Sequence, residues 1–299
     1  MQFTFMEQFA MYCKSARLPL ALLSAGLLAF SAHAAAGTGE AVELDESELD
    51  PDAEGYEPPG RSIYFYVDTY DLEELAEKHA RDEVHVIDVR TRYEYDTLRI
   101  DGAHHVSLDD DDFVDKVLEI HEEAPDKPVA FYCRGHTCFM GYQAVERMKA
   151  AGFDDARTMD YGVFDWAENY PEDTALFGEA PIEQADLIDF NEFRDRLLPP
   201  MEFSERAQQD NARVLDIRRP FEQDQVGLFL NSETNIPASE SDALSEYLEQ
   251  VRDSDAPLLV YDITGHEIKA FQYTLEEYGI DNYYFMEGGF KGFQEEVLQ

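Results

Sequence analysis

With 299 residues, the chain is long enough for two ordinary domains and too long for one small core. Hydrophobic residues make up 44% and aromatic residues 13%, which supports filled interiors and argues against a disordered chain. Asp and Glu total 65 against 23 Lys and Arg, a formal charge of -42 that would be repelled by nucleic acid and by an anionic membrane. Such acidity suits folding in a saline setting, where salt screens self-repulsion; a merely soluble acidic protein is the plainer reading.

Residues 1–34 read as a secretory signal. Lys14 and Arg17 precede the apolar run 18–30, and Ala32-His33-Ala34 supplies a small-x-small cleavage pattern. The run is shorter than a membrane span, so no stable span remains once the signal is removed; an uncleaved anchor is the competing reading. The start is methionine-rich, and Met6 and Met11 are alternative initiators. Cys13 precedes the apolar run and leaves with the signal. A periplasmic or secreted protein then retains Cys133 and Cys138, which an oxidising compartment allows to pair. Residues 35–60 are rich in Gly, Pro, Asp and Glu and read as a flexible acidic leader.

Beyond the leader, apolar strands alternate with amphipathic helices, the pattern of an α/β fold. Within 61–176, Asp71 to Ala80 reads as a helix, with Leu72, Leu75, Ala76 and His79 on one side and Asp71 as its cap. Val84 to Arg90 reads as a strand. Phe113, Val117, Leu118 and His121 mark another helix. Pro128 precedes the strand Val129 to Tyr132, which ends abruptly at Cys133. Arg134, Gly135, His136 and Thr137 are too polar or too flexible to continue it. After Cys138, Phe139 to Met148 reads as a helix that stops near Ala151-Gly152. A last short strand is expected near Ala156 to Met159.

Residues 177–185 read as a linker, and 186–299 repeat the plan. Ala212 to Arg218 repeats the Asp-containing strand, and Leu258 to Tyr261 repeats the apolar run. Glu267 to Tyr278 repeats the following helix, and Met286-Glu287-Gly288-Gly289 answers Met159-Asp160-Tyr161-Gly162. The same order at similar spacing indicates an internal duplication. The copies differ where it matters: Tyr132-Cys133 becomes Tyr261-Asp262. A carboxylate can neither attack sulfur as a thiolate does nor hold a persulfide. The second copy is therefore expected to shape or cover the first copy's site, or to stabilise the pair through an interface. Asp262 itself reads as a turn or cap residue.

A cysteine at a strand-to-helix turn points to chemistry, because loop N–H groups and a helix start both favour a thiolate. The N–H groups of 134–138 are expected to converge on an exposed Cys133 Sγ, with Arg134 adding positive charge; a buried, inert Cys133 is the lesser reading. Two readings stand for several neighbours. Arg134 faces the site or solvent. His136 contacts an anionic donor or caps the loop, and Gly135 and Thr137 belong to the same loop. Cys138 is a resolving thiol, or it packs as a small apolar group. If the two cysteines are bridged at rest, a reductant must act first. Asp88 and Arg90 are expected as a buried or half-buried pair that positions the loop, as are Asp216 and Arg218. Asp109 to Asp112 reads as solvated carboxylates, with weak cation binding the lesser reading, and Phe164 and Trp166 as packing residues, with an aromatic bordering the cleft the lesser reading. No metal site is expected, and the absence of a nucleotide fingerprint implies no cofactor. A cysteine phosphatase would want arginine where Phe139 stands.

Taken together, Val86-Ile87-Asp88-Val89-Arg90, Tyr93-Glu94-Tyr95, Ile100 to His104, Phe131-Tyr132-Cys133 with its loop to Cys138, and Gly162 to Trp166 resemble the rhodanese family. Val214 to Arg218, Phe221-Glu222 and Glu287 to Phe290 carry the resemblance into the second copy. It implies two rhodanese-like domains, each a mainly parallel central sheet flanked by helices, the second degenerate. It also implies a sulfurtransferase. Sulfane sulfur would pass from thiosulfate or a persulfide donor, through a Cys133 persulfide, to a thiol or cyanide. Partners would be a small sulfur-containing anion or thiol, and a thiol reductant. The family's common loop places Gly three residues and Arg five residues after the cysteine. Here Gly135 comes one residue early and Cys138 holds the arginine's place, which puts thiosulfate as donor in question; some exported members carry a second cysteine there. Two alternatives remain: a thiol–disulfide redox protein using Cys133 and Cys138, and a non-enzymatic binding or sensor module.

Overall fold

A computed structural model describes residues 56–209, 211–220, 222, 227–229 and 232–297. The expected signal, most of the leader and Phe221 lie outside the described residues. The first repeat comprises α1 (Gly60–Ile63), β1 (Thr69–Tyr70), α2 (Leu72–Ala80), β2 (His85–Asp88), α3 (Arg92–Thr97), β3 (Leu98–Ile100), β4 (His104–His105), α4 (Phe113–Glu123), β5 (Val129–Tyr132), α5 (Met140–Ala150), β6 (Ala156–Met159), α6 (Val163–Asn169) and β7 (Thr174–Leu176). The second comprises α7 (Phe190–Asp195), β8 (Leu197–Leu198), α8 (Pro200–Ala207), β9 (Arg213–Asp216), β10 (Glu233–Asn235), α9 (Ser241–Val251), β11 (Leu258–Tyr261), α10 (Ile268–Glu277), β12 (Tyr283–Met286) and α11 (Gly289–Val297).

Each repeat is an α/β layer structure around a five-stranded parallel sheet. The first sheet runs β1-β6-β5-β2-β4, and the second, read from the matching edge, runs β8-β12-β11-β9-β10. The duplication is thus visible as one strand order used twice. β3 and β7 form a separate antiparallel pair beside the first sheet.

β5 lies between β2 and β6, so neither of its edges nor its faces meets water. That is why Val129 to Tyr132 is continuously apolar instead of alternating. Val129 and Phe131 pack with Phe113, Val117, Val145 and Met148 from α4 and α5. Ala130 and Tyr132 pack on the other face with Leu75 and Trp166 from α2 and α6. β11 repeats this arrangement between β9 and β12.

Several local expectations change. Asp71 stands at the start of α2 without a side-chain capping bond; its carboxylate instead takes Arg61 Nη2 at 3.0 Å. Residues 56–60, read from sequence as the end of the leader, begin the fold: Pro58 is buried and Gly60 opens α1. The linker packs on the first repeat, with Ile182 in its core and Ile182 N–H donating to Pro171 O at 3.1 Å. The aspartate run is paired as well as solvated: Lys116 reaches Asp110 and Asp112 at 2.8 and 2.9 Å, and Arg219 reaches Asp109 at 2.6 Å. Trp166 is buried and donates to Asp173 O at 3.1 Å. Among the described residues, no helix is long and apolar enough to cross a membrane.

Candidate functional site

The site lies at the carboxyl end of β5, the central strand, where open parallel sheets place their ligand crevices. Cys133 follows Tyr132 directly. Its side chain is two residues on from Phe131 and shares the face covered by α4 and α5. That alternation overturns the expectation of an exposed sulfur: Cys133 is only 3% exposed. It is bridged to Cys138, with the two Cα atoms 6.2 Å apart, inside the normal disulfide range. Cys138 is half-buried at the foot of α5.

The loop between the cysteines is held from three sides. Arg134 turns inward, away from solvent: its Nε and Nη2 reach Glu94 Oε1 and Oε2 at 2.5 and 2.6 Å. Its Nη1 lies 3.9 Å from Cys138 Sγ and 3.5 Å from Met140 Sδ. His136 is a loop fastener. Tyr56 donates to Nδ1 at 2.8 Å, and Nε2 donates to Asp165 at 2.9 Å. Thr137 is buried, and Gly135 O accepts Cys138 N–H at 3.0 Å. The β6–α6 turn packs beneath: Val163 N–H donates to Cys133 O at 3.0 Å. Gly162 is indispensable there. Its φ is +89°, and a Cβ would collide with the backbone of Arg134 and Gly135.

Asp88 and Arg90 are fully buried beside the loop. Arg90 Nε and Nη2 reach Asp88 Oδ1 and Oδ2 at 3.0 and 2.6 Å, and Nη2 also reaches Leu98 O at 2.6 Å. His105 Nε2 bonds Arg90 O at 2.9 Å. The second repeat builds the same fork from Asp216 and Arg218, at 2.9 and 2.7 Å. The chain bends back at this fork, which is why β2 stops at Asp88 and does not run to Arg90.

The second repeat's loop shows what the first one does not. Asp262 occupies the position of Cys133, and Gly265 and Glu267 occupy those of His136 and Cys138. The Asp262 carboxylate accepts N–H bonds from Gly265 and from Glu267, the latter at 2.6 Å. In the bridged first loop, Cys138 N–H is turned to Gly135 O instead. The expected convergence of loop amides is therefore found around a carboxylate in the second copy, not around the disulfide.

The repeats meet along α3 and α10. Tyr93 Oη bonds Thr274 Oγ at 2.5 Å, and Thr91 Oγ lies 2.9 Å from both Glu94 Oε2 and Glu267 Oε1. Glu94, Asp262 and Glu267 are all buried. Burial alone would raise Glu94, but Arg134 and Arg90 outweigh it and hold the carboxyl below its ordinary value. Glu267 is pushed up to about 8 by burial, then by the charges of Glu94 and Asp262.

The chain matches the family described as Rhodanese-like domain over residues 71–169 and again over 199–296, more than half its length. It belongs to the rhodanese family. A comparison with curated proteins finds no match. Among solved structures, a Bacillus halodurans protein is similar at 15% identity and TM-score 0.33, over 44% of this chain and 92% of that one. A thiosulfate sulfurtransferase from Pseudomonas aeruginosa is similar at 18% identity and TM-score 0.32, over 77% of this chain and 46% of that one. The rhodanese-like domain of an Anabaena protein is similar at 22% identity and TM-score 0.31, over 41% of this chain and 89% of that one.

Around the rhodanese-like loop, the structure gathers Cys133, Arg134, Gly135, His136, Thr137 and Cys138, with Asp88 and Arg90 alongside. Sequence reasoning missed Thr91, Glu267 and Tyr56, and it named Glu94 without a task. One signal was present: Thr91-x-x-Glu94 is a capping box that opens α3, with both reciprocal bonds formed. Nothing local marks the Glu267 carboxyl, whose partner Thr91 lies 176 residues away.

Proposed function

We propose that the protein is a sulfurtransferase whose Cys133 carries sulfane sulfur, and that the Cys133–Cys138 bridge is its resting oxidised form. The observation that carries this reading is the second repeat's loop. There the Asp262 carboxyl at the equivalent position accepts two loop N–H groups, which oppose the upward push of burial. A first-repeat loop that took up this arrangement once Cys133 is reduced would favour a thiolate or a persulfide anion.

The cycle starts with a thiol reductant, which supplies two electrons and opens the bridge to two thiols. The Cys133 thiolate attacks the outer sulfur of a persulfide donor or of thiosulfate. An S–S bond forms to Cys133, and the donor leaves as thiolate or sulfite. An external thiolate or cyanide then takes the outer sulfur and restores the Cys133 thiolate. Without an acceptor, the Cys138 thiolate attacks Cys133 Sγ, expels hydrosulfide and reforms the bridge. The persulfide donor fits better than thiosulfate. Arg134, the cation within the loop, is already committed to Glu94. The expected export of the chain suits a resting disulfide, which persists in an oxidising compartment.

A second reading is favoured by the bridge itself: a thiol–disulfide exchange protein using the same two cysteines. Intact-mass measurement separates them. Reduced protein, freed of reductant, is treated with a persulfide donor or thiosulfate. Sulfur transfer predicts a stable gain of one sulfur on Cys133 in Cys138→Ser. It predicts a transient gain with hydrosulfide release in the native chain, and none in Cys133→Ser. Failure of Cys138→Ser to gain sulfur from either donor would rule transfer out and leave exchange.

A further inference from the structure

The buried contact between α3 and the second repeat's loop contains a hydrogen-bond count that fixes a proton. Thr91 Oγ lies 2.9 Å from Glu94 Oε2 and 2.9 Å from Glu267 Oε1. A hydroxyl has one proton to donate, so it cannot serve two carboxylates. Glu94 is the ionised partner, because both its oxygens accept from the Arg134 guanidinium at 2.5 and 2.6 Å. Glu94 N–H donates to Thr91 Oγ at 3.3 Å, which leaves that oxygen room for one more donor. The group able to supply it is Glu267, as a carboxylic acid.

We propose that Glu267, protonated, is a positioning residue for the first repeat's cysteine loop: it donates to Thr91, Thr91 donates to Glu94, and Glu94 holds Arg134 against Cys138. The inactive copy thereby reaches the cysteine loop of the other repeat through three side chains. This holds whether Cys133 carries sulfur or only exchanges disulfides, because it concerns the loop's support and not its chemistry.

The charges around Glu267 set what happens when it loses that proton. Glu94 faces it from α3, Asp262 from its own loop, and Arg134 from the cysteine loop. Arg90 stands behind Glu94, and His266 beside Asp262. An ionised Glu267 adds an anion beside Glu94 and Asp262, contests the Thr91 hydroxyl, and competes for Arg134. The guanidinium is drawn off Cys138 Sγ, so an attacking thiolate meets more negative charge and the leaving Cys138 thiolate loses its cation.

The test is the rate at which a small dithiol opens the Cys133–Cys138 bridge in the full chain, referred to the concentration of dithiol thiolate. In the native chain the rate is expected to stay level to neutral pH, then to fall several-fold with a midpoint at about 8. Glu267→Gln keeps an N–H for Thr91 and cannot ionise. It is expected to match the native rate at neutral pH and to show no fall. Glu267→Ala, which lacks the donor to Thr91, is expected to be slow throughout. Should Glu267→Ala fail to fold, the native and Glu267→Gln profiles decide alone. Identical profiles for those two would overturn the proposal, as would a native profile with no step. Loss of sulfur loading would leave these profiles unchanged, so the two readings fail separately.

Discussion

Cys133 shows how much one residue's surroundings can differ from its position in the sequence. Its place at a strand end was legible, because an apolar run stops there and a polar loop begins. Its burial follows from the two-residue period of β5, which aims Cys133 with Val129 and Phe131 at α4 and α5. That face becomes visible only when the helices covering it are known. The Asp88–Arg90 fork was legible as a pair, and its depth decides its energetics. Both side chains are 0% exposed. Removing one partner would leave the other as an uncompensated buried charge, which costs about 3–5 kcal/mol. Arg90→Ala is therefore expected to lose that much unfolding free energy in a urea titration. A loss under about 1 kcal/mol would mean that water or another group takes over Asp88.

At the scale of elements, strands and long helices were legible because each carries its own period. β5, β6, β11 and α4 fall where the sequence reading placed them. α3 was not legible: it has six residues, and its signal lies in the Thr91–Glu94 capping box instead of an apolar stripe. The interface formed by α3 and α10 had no local signature either, since its bonds join residues 176 and 181 positions apart. The turn from β6 to α6 shows how closely two elements must approach to form the site. Gly162 and Gly152 both have positive φ, +89° and +88°. A Cβ at Gly152 would meet nothing within 4 Å, whereas one at Gly162 would strike the cysteine loop's backbone. Gly152→Ala should therefore cost only the left-handed strain, about 1–2 kcal/mol. Gly162→Ala should cost visibly more and shift the loop. Equal melting temperatures for the two variants would show that the turn can relax away from Arg134.

The whole molecule balances a large excess of negative charge against a duplicated core. With a net charge of -42, every buried carboxyl adds to a field of its own sign. The contact between the repeats gathers Glu94, Asp262 and Glu267, so folding there must neutralise charge with Arg134 or with protons. Glu267 supplies the proton. Burial, together with Glu94 and Asp262, raises it from 4.5 to about 8. Between those values the folded chain binds a proton that the unfolded chain has released, so stability falls as pH rises. The contribution is complete below about 4.5 and is lost through about 8. The slope is about 1.4 kcal/mol per pH unit over that window. Glu94, held low, works in the opposite sense, but its window lies below its ordinary value and does not overlap. Glu267→Gln has no such linkage and shares every other charge with the native chain. The unfolding free energy of the native chain minus that of Glu267→Gln, measured in denaturant at matched ionic strength, should therefore decline steadily from about pH 5 to about pH 8 and then level off. A difference that stays constant across that range would place the proton elsewhere and leave Glu94 neutralised by Arg134 without help from Glu267.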